Sequence, residues 1–301
     1  MAKDFSGCHV PLITPFKEDL ALDEPGLREL VNHFIEVEKV DGLVPCGTTG
    51  ESPTLTNEEH DRVIEVVVKE TDGRVPVIAG TGSNSTQEAI IRTKHAESVG
   101  ADASLQVAPY YNKPTQEGMI AHFEAIAAAT NLPIIIYNIP SRSGQNIEPR
   151  TIIDLAKIDN IIGVKDAAGD LNQTMALLNA LGLDGKGFYL LSGEDAMTFS
   201  IMCLGGHGTI SAVANVIGRE FTEMCAAVKN GRIEEAKRIH YEMLPLVKAL
   251  FIETNPVPVK EALGMMGLPS GPPRLPLVPL KAEHRAMLAE VLRRAGRLPK
   301  D

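Results

Sequence analysis

Lys165 closes an apolar run, Ile161-Ile162-Gly163-Val164-Lys165, and the turn-forming segment Asp166-Ala167-Ala168-Gly169-Asp170 follows at once. An apolar run without alternation, bounded by turn residues, predicts a strand buried on both faces. A lysine at the end of such a strand is costly to desolvate as a cation. Burial favours the neutral amine, and a neutral amine is a nucleophile toward a ketone. One reading of Lys165 is therefore a Schiff-base lysine. The other is a strand-end lysine that snorkels to solvent or pairs with Asp166.

Other residues with chemical potential fall at comparable places in the chain. Gly47-Thr48-Thr49-Gly50-Glu51-Ser52 offers a tight turn whose amides can face an anion, although it also reads as an ordinary glycine-rich turn. Tyr137 ends an apolar run just upstream of the Lys165 run, where its phenol can pass protons to or from a carbinolamine or satisfy itself structurally. Thr48 is a hydroxyl neighbour for such a relay. Arg142, in Pro140-Ser141-Arg142-Ser143-Gly144, is a fork suited to a carboxylate, with surface solvation as its alternative. Of five tyrosines in the chain, three (Tyr110, Tyr111 and Tyr137) lie on these turns, which points to a catalytic face.

The elements that carry these residues alternate almost to the end. Apolar runs at 9–13, 42–46, 75–79, 103–108, 133–137, 161–165, 188–191 and 208–211 are separated by longer amphipathic segments. Eight βα units predict a parallel sheet closed as a (β/α)8 TIM barrel, whose active face is built from the turns that follow the strands. Leu27, Leu30, Val31, Phe34 and Ile35 form an apolar helical stripe behind Asp23 as N-cap. Thr56 with Glu59, and Ser85 with Glu88, fit capping boxes. Pro149 suits a first helical turn. From about residue 231 the pattern becomes helix after helix, at 233–251, 257–266 and 282–295, with a proline-rich connector at 269–279. The expected organisation is a catalytic barrel over 1–230 and a C-terminal helical domain over 231–301.

Composition narrows the function classes. The 301 residues are 44% hydrophobic and 23% charged, ordinary for a globular protein. A formal net charge of −10 argues against nucleic acid or an anionic membrane as partner. No apolar stretch approaches the roughly 20 residues that cross a bilayer. Met1-Ala2-Lys3-Asp4-Phe5 has neither a secretory nor a transit pattern, so a cytoplasmic location is expected. Cys8, Cys46, Cys203 and Cys225 form no Cys-x-x-Cys pair and read as reduced thiols. The eight histidines lack ligand spacing, so no metal is expected. His207, in Gly205-Gly206-His207-Gly208, reads as a turn residue, and Glu58-Glu59 and Glu234-Glu235 as solvated helix faces.

Together these residues resemble the dihydrodipicolinate synthase family, within a superfamily that also holds N-acetylneuraminate lyase and other pyruvate-dependent aldolases. The likeness is carried by Gly47-Thr48-Thr49-Gly50-Glu51, Ala108-Pro109-Tyr110-Tyr111-Asn112, Tyr137-Asn138-Ile139-Pro140-Ser141-Arg142 and Ile162-Gly163-Val164-Lys165. It continues in Leu191-Ser192-Gly193-Glu194-Asp195, residues 205–211, and Asn255-Pro256-Val257-Pro258-Val259-Lys260. The second threonine, the tyrosine pair and Arg142 favour the synthases over the sugar-acid lyases.

The resemblance implies condensation of pyruvate with L-aspartate 4-semialdehyde, toward diaminopimelate and lysine, through an imine on Lys165 and without a metal or organic cofactor. It implies a proton relay of Thr48, Tyr137 and Tyr111, the last reaching in from a neighbouring subunit of a homotetramer built as a dimer of dimers. Thr48 and Thr49 would hold the pyruvate carboxylate, Gly193 and Ile210 would line its pocket, and Arg142 would take the semialdehyde's carboxylate. It also implies a site for inhibition by L-lysine at Ser52, Pro53, Asn57, His60, Asn84, Glu88 and Tyr110. Pro53 and Asn57 stand where enterobacterial-type members have alanine and histidine, so weak or partial inhibition is expected. Asp166-Ala167-Ala168 replaces the Glu-Ala-Thr of many members, a change the barrel tolerates. The rival expectations are another pyruvate aldolase, acting on a keto-sugar acid or N-acetylneuraminate, and a non-catalytic sensor of lysine or a keto acid.

Overall fold

The computed structural model describes residues 3–182 and 187–299. All eight apolar runs become strands: β1 (Gly7–Pro11), β2 (Gly42–Val44), β3 (Ile78–Gly80), β4 (Ala103–Val107), β5 (Ile134–Asn138), β6 (Ile161–Asp166), β7 (Tyr189–Ser192) and β8 (Gly208–Ile210). They are parallel and ordered β2-β1-β8-β7-β6-β5-β4-β3, and a parallel bridge between Leu43 and Val77 joins the two ends of the sheet. The sheet is thus a barrel with helices outside it, and further helices extend it at the C-terminus. β3 begins later than its apolar run. Pro76 has no N–H to give the ladder, and the Val77 N–H donates to the Asp102 carboxylate at 2.9 Å instead.

The helices of the outer ring are α1 (Glu24–Glu36), α2 (Asn57–Thr71), α3 (Thr86–Ser98), α4 (Gln116–Ala128), α5 (Pro140–Ser143), α6 (Pro149–Leu155), α7 (Leu171–Leu177), α8 (Thr198–Cys203) and α9 (Ala214–Lys229). Asp23 caps α1 by accepting from the Gly26 amide at 3.1 Å. The α1 stripe buries Leu27, Leu30, Val31 and Phe34 completely against the barrel, each such side chain contributing about 1.5–3 kcal/mol. α2 carries the full capping box of Thr56 and Glu59. α3 carries only half of its box. The Glu88 amide donates to the Ser85 hydroxyl at 3.4 Å, but the Ser85 amide is bonded to Ser83 and not to Glu88.

The C-terminal extension consists of α10 (Ile233–Ala249), α11 (Val257–Met265) and α12 (Ala282–Arg294). Leu246, Leu263 and Leu288 belong to the same apolar core as Cys8, Val10 and Leu43 of the barrel strands. The proline-rich connector returns to the top of the barrel, where the Arg274 guanidinium lies 4.0 Å from the Phe16 ring centre and grips Glu59 with two bonds of 2.6 Å. Glu59 is therefore a docking point for the extension, which corrects the expectation of a solvated face. Among the described residues no helix is long and apolar enough to cross a membrane.

Candidate active site

Parallel pairing sets Tyr137 directly beside Lys165, because the two are register partners on β5 and β6. Both side chains point into the barrel, and the Lys165 Nζ lies 4.1 Å from the centre of the Tyr137 ring. Asp166 points the opposite way, as strand alternation requires, and accepts from the Thr174 hydroxyl at 2.8 Å. It is not the partner of Lys165, which forms no ion pair among the described residues. Burial lowers the Lys165 pKa to about 8, Asp195 counters that shift, and the positive charge of Arg142 adds to it.

Burial likewise pushes the Tyr137 phenol above its usual range, opposed by the charge of Arg142 and a hydrogen bond with Thr48. The amine thus sits over the face of the Tyr137 ring, and the phenol meets the Thr48 hydroxyl. The Gly47-to-Ser52 turn holds Thr48 by closing on itself, with the Gly50 amide donating to Gly47 at 3.1 Å and the Glu51 amide to Thr48 at 3.1 Å. The amides of Thr48 and Thr49 have no partner among the described residues, so two N–H groups remain for an anion. The Thr49 hydroxyl is itself fixed, accepting from Asn255 Nδ2 at 3.0 Å.

These groups line a cavity of about 340 Å³, together with Arg142, Gly193, Asp195, Ile210 and Asn255. Gly193 lets the wall approach Lys165 closely: a Cβ there would sit 2.9 Å from the Lys165 Cε. Ile210 ends β8 and is buried against the cavity. Arg142 stands on the single turn of α5, and its Nη2 donates to the Asn255 carbonyl at 3.4 Å. The arrangement brings an amine, a phenol, a threonine hydroxyl and a guanidinium to one cavity.

A second cavity of about 440 Å³ adjoins the first and shares Thr48, Tyr137 and Arg142 with it. Ser52, Pro53, Glu88 and Tyr110 line it, as does Arg92. Asn57, His60 and Asn84 do not. His60 is fully buried, with Nε2 3.0 Å from the Gly80 carbonyl. Burial first and Arg92 second lower its pKa to about 4, so the ring is neutral. Tyr111 joins neither cavity. The residue is 89% exposed, on a backbone with φ of 71°.

The Dihydrodipicolinate synthetase family matches residues 4–295. The chain belongs to this family. A 4-hydroxy-tetrahydrodipicolinate synthase of Methanocaldococcus jannaschii is 51% identical over 97% of this chain and 99% of its own. Among solved structures, the chloride-inhibited dihydrodipicolinate synthase of Acinetobacter baumannii complexed with pyruvate is 43% identical, with a TM-score of 0.95 over 98% of this chain and all of that one. The lysine-bound enzyme of Cyanidioschyzon merolae is 42% identical, with a TM-score of 0.94 over 98% of this chain and 99% of that one.

In this member of the dihydrodipicolinate synthetase family, three further residues bear on the site and had been given no role from sequence. Asp195 is buried in the cavity wall, where burial raises its pKa to about 6 against a hydrogen bond from Ser211 and the charge of Lys165. Asn255 links Thr49 to Arg142. Lys260 forms an ion pair of 2.7 Å with Glu51 at the base of the threonine turn, both side chains being fully buried. All three lie in motifs that carried the family likeness. Their contacts join segments remote in sequence, so no local pattern announces them.

Proposed function

We propose that this chain is a 4-hydroxy-tetrahydrodipicolinate synthase, a lyase joining pyruvate to L-aspartate 4-semialdehyde in diaminopimelate and lysine synthesis. One observation carries the reading: the buried amine of Lys165, 4.1 Å from the Tyr137 ring centre, on a cavity also lined by Thr48. With a pKa of about 8, about a tenth of the lysine is neutral at pH 7 and available to attack the pyruvate ketone. Tyr137 and Thr48 carry the protons that convert the hydroxyl of the carbinolamine to water as the imine forms. The imine draws electrons from the pyruvate methyl, which loses a proton and becomes a nucleophilic enamine. Attack on the semialdehyde's aldehyde carbon makes the new carbon–carbon bond, and the aldehyde oxygen takes a proton to become a hydroxyl. The semialdehyde's own amino group then attacks the imine carbon and expels the Lys165 amine as the ring closes.

The amides of Thr48 and Thr49 receive the pyruvate carboxylate, with Gly193 and Ile210 shaping its pocket, and Arg142 receives the carboxylate of the semialdehyde. The lysine imine supplies the electron sink, so the reaction calls for no metal or organic cofactor. Tyr111 completes the relay from a second copy within a homotetramer, a dimer of dimers, in the cytoplasm. L-Lysine acts as a weak feedback inhibitor at the outer cavity, a reading supported by the lysine-bound relative and by the lining Ser52, Pro53, Glu88 and Tyr110, while Asn57, His60 and Asn84 belong to the proposed site without lining the cavity in the single chain.

Borohydride reduction in the presence of pyruvate tests the central step. The peptide containing Lys165 should gain one reduced pyruvate adduct, and an unmodified peptide would refute the mechanism. Arg142→Ala should lose semialdehyde turnover while still forming the pyruvate adduct. Higher turnover of keto-sugar acids than of aspartate semialdehyde would point to the sugar-acid aldolases instead.

A further inference from the structure

Helix α3 places Glu88 and Arg92 one turn apart, with the acid N-terminal to the base, the spacing at which opposite charges meet on a helix. They do meet, with Glu88 Oε1 2.9 Å from Arg92 Nη2. The other carboxylate oxygen accepts from the Ser83 hydroxyl. This use of Glu88 is why its capping box with Ser85 is only half formed. Arg92 Nη2 also donates to Asn57 Oδ1 at 3.2 Å, and the Arg92 side chain is only 13% exposed. The arginine is therefore packed into the wall of the outer cavity and held from two helices.

Its charge alters what that cavity can recognise. Among the lining residues Glu88 is the acid, Arg92 beside it cancels its charge, and Arg142 at the inner end adds a further cation. Ser52, Pro53, Leu55 and Tyr110 add none, and the His60 ring behind them is neutral. A dibasic amino acid brings ammonium groups that need an available carboxylate, yet both oxygens of Glu88 already have partners. To bind there, an ammonium must either displace the Arg92 guanidinium or share the carboxylate with that like charge.

We infer that Arg92 is a built-in competitor for L-lysine: it occupies Glu88 and sets the threshold of inhibition in this chain. The inference rests on the lysine reading of the outer cavity. Arg92→Leu removes the competitor and should tighten lysine binding about tenfold, the change expected when one charge-assisted hydrogen bond becomes available to the ligand. Arg92→Gln, which drops the charge and keeps a shorter polar group, should also tighten it. Arg92→Lys retains a cation and should stay weak. Adding Glu88→Thr to Arg92→Leu should abolish the gain.

The measurement is calorimetric titration of L-lysine into the full-length chain and each variant, with thermal melts to show that each is folded. Equal, measurable affinities in the wild type and both uncharged variants would overturn the role of Arg92 and leave the lysine site standing. A gain that persists in Arg92→Leu with Glu88→Thr would overturn it too, because Glu88 would not be the group released. No lysine binding by any of these proteins at millimolar concentrations would refute the lysine reading itself, and the inference with it.

Discussion

A lysine inside a barrel costs stability in proportion to the charge it carries. Lys165 has a pKa of about 8 in the folded chain against 10.5 in an unfolded one. Below pH 8 both states are protonated and the folded state bears the full penalty. Between pH 8 and 10.5 the unfolded chain binds more protons, so stability rises with pH, and above 10.5 the penalty is gone. The difference corresponds to about 3 kcal/mol at about 1.4 kcal/mol per pKa unit. Lys165→Met should therefore melt higher than the wild type at pH 7 while losing all adduct formation, and its advantage should shrink toward pH 10.5. A variant that melts lower at pH 7 would show that packing around the Lys165 stem outweighs desolvation. In the wild type, adduct formation should accelerate as pH rises through 8. Lys165, Tyr137 and Thr48 were legible in the sequence because each follows or ends an apolar run, and a parallel barrel brings such positions to one face. Asp195 occupies an equivalent position but was given no role, since its pull on Lys165 depends on how deeply the cavity wall buries it.

At the scale of elements, the extension acts on the catalytic turn. Glu51 ends that turn in the left-handed region, with φ of 53°. Lys260 of α11 holds it there and also donates to the carbonyls of Thr14 at 3.2 Å and Pro272 at 3.1 Å. Lys260→Met leaves a carboxylate buried without its cation and should cost roughly 3–5 kcal/mol. Adding Glu51→Gln removes the orphaned charge, so denaturant unfolding should recover much of the loss. In the single variant the turn loses its anchor, and KM for pyruvate should rise more than that of the double variant. Unchanged stability in Lys260→Met would remove the pair from any structural role. The strands and the three helices of the extension were readable from apolar periodicity. The clamp was not, because Glu51 and Lys260 lie 209 residues apart and neither departs from a plausible surface residue when seen alone. The shortened β3 has the same kind of cause, a proline and a side-chain acceptor that replace ladder bonds.

At the scale of the whole molecule, Tyr111 is the residue the single chain leaves unexplained. A non-glycine residue at φ of 71° costs about 1–3 kcal/mol, and here it holds a largely exposed aromatic ring. Neighbouring Asn112 steadies the loop by donating to the Asn84 carbonyl at 2.8 Å, so the ring is presented in a defined place. An outward tyrosine does not serve the Lys165 cavity of its own chain, and under the proposed function it would serve the cavity of a second copy related by two-fold symmetry. Loss of the phenol hydroxyl from a relay should lower turnover by about 10²–10⁴. Tyr111→Phe should therefore assemble normally and turn over slowly, and Lys165→Ala should be inactive. Mixing the two after dissociation and reassembly separates sharing from self-sufficiency. A mixed dimer contains one site with an intact Lys165 that receives an intact Tyr111 from the other copy. With equal amounts of each chain, about a quarter of wild-type activity should return. If each chain used its own Tyr111, every site in the mixture would lack one group, and activity would stay at the average of the two variants.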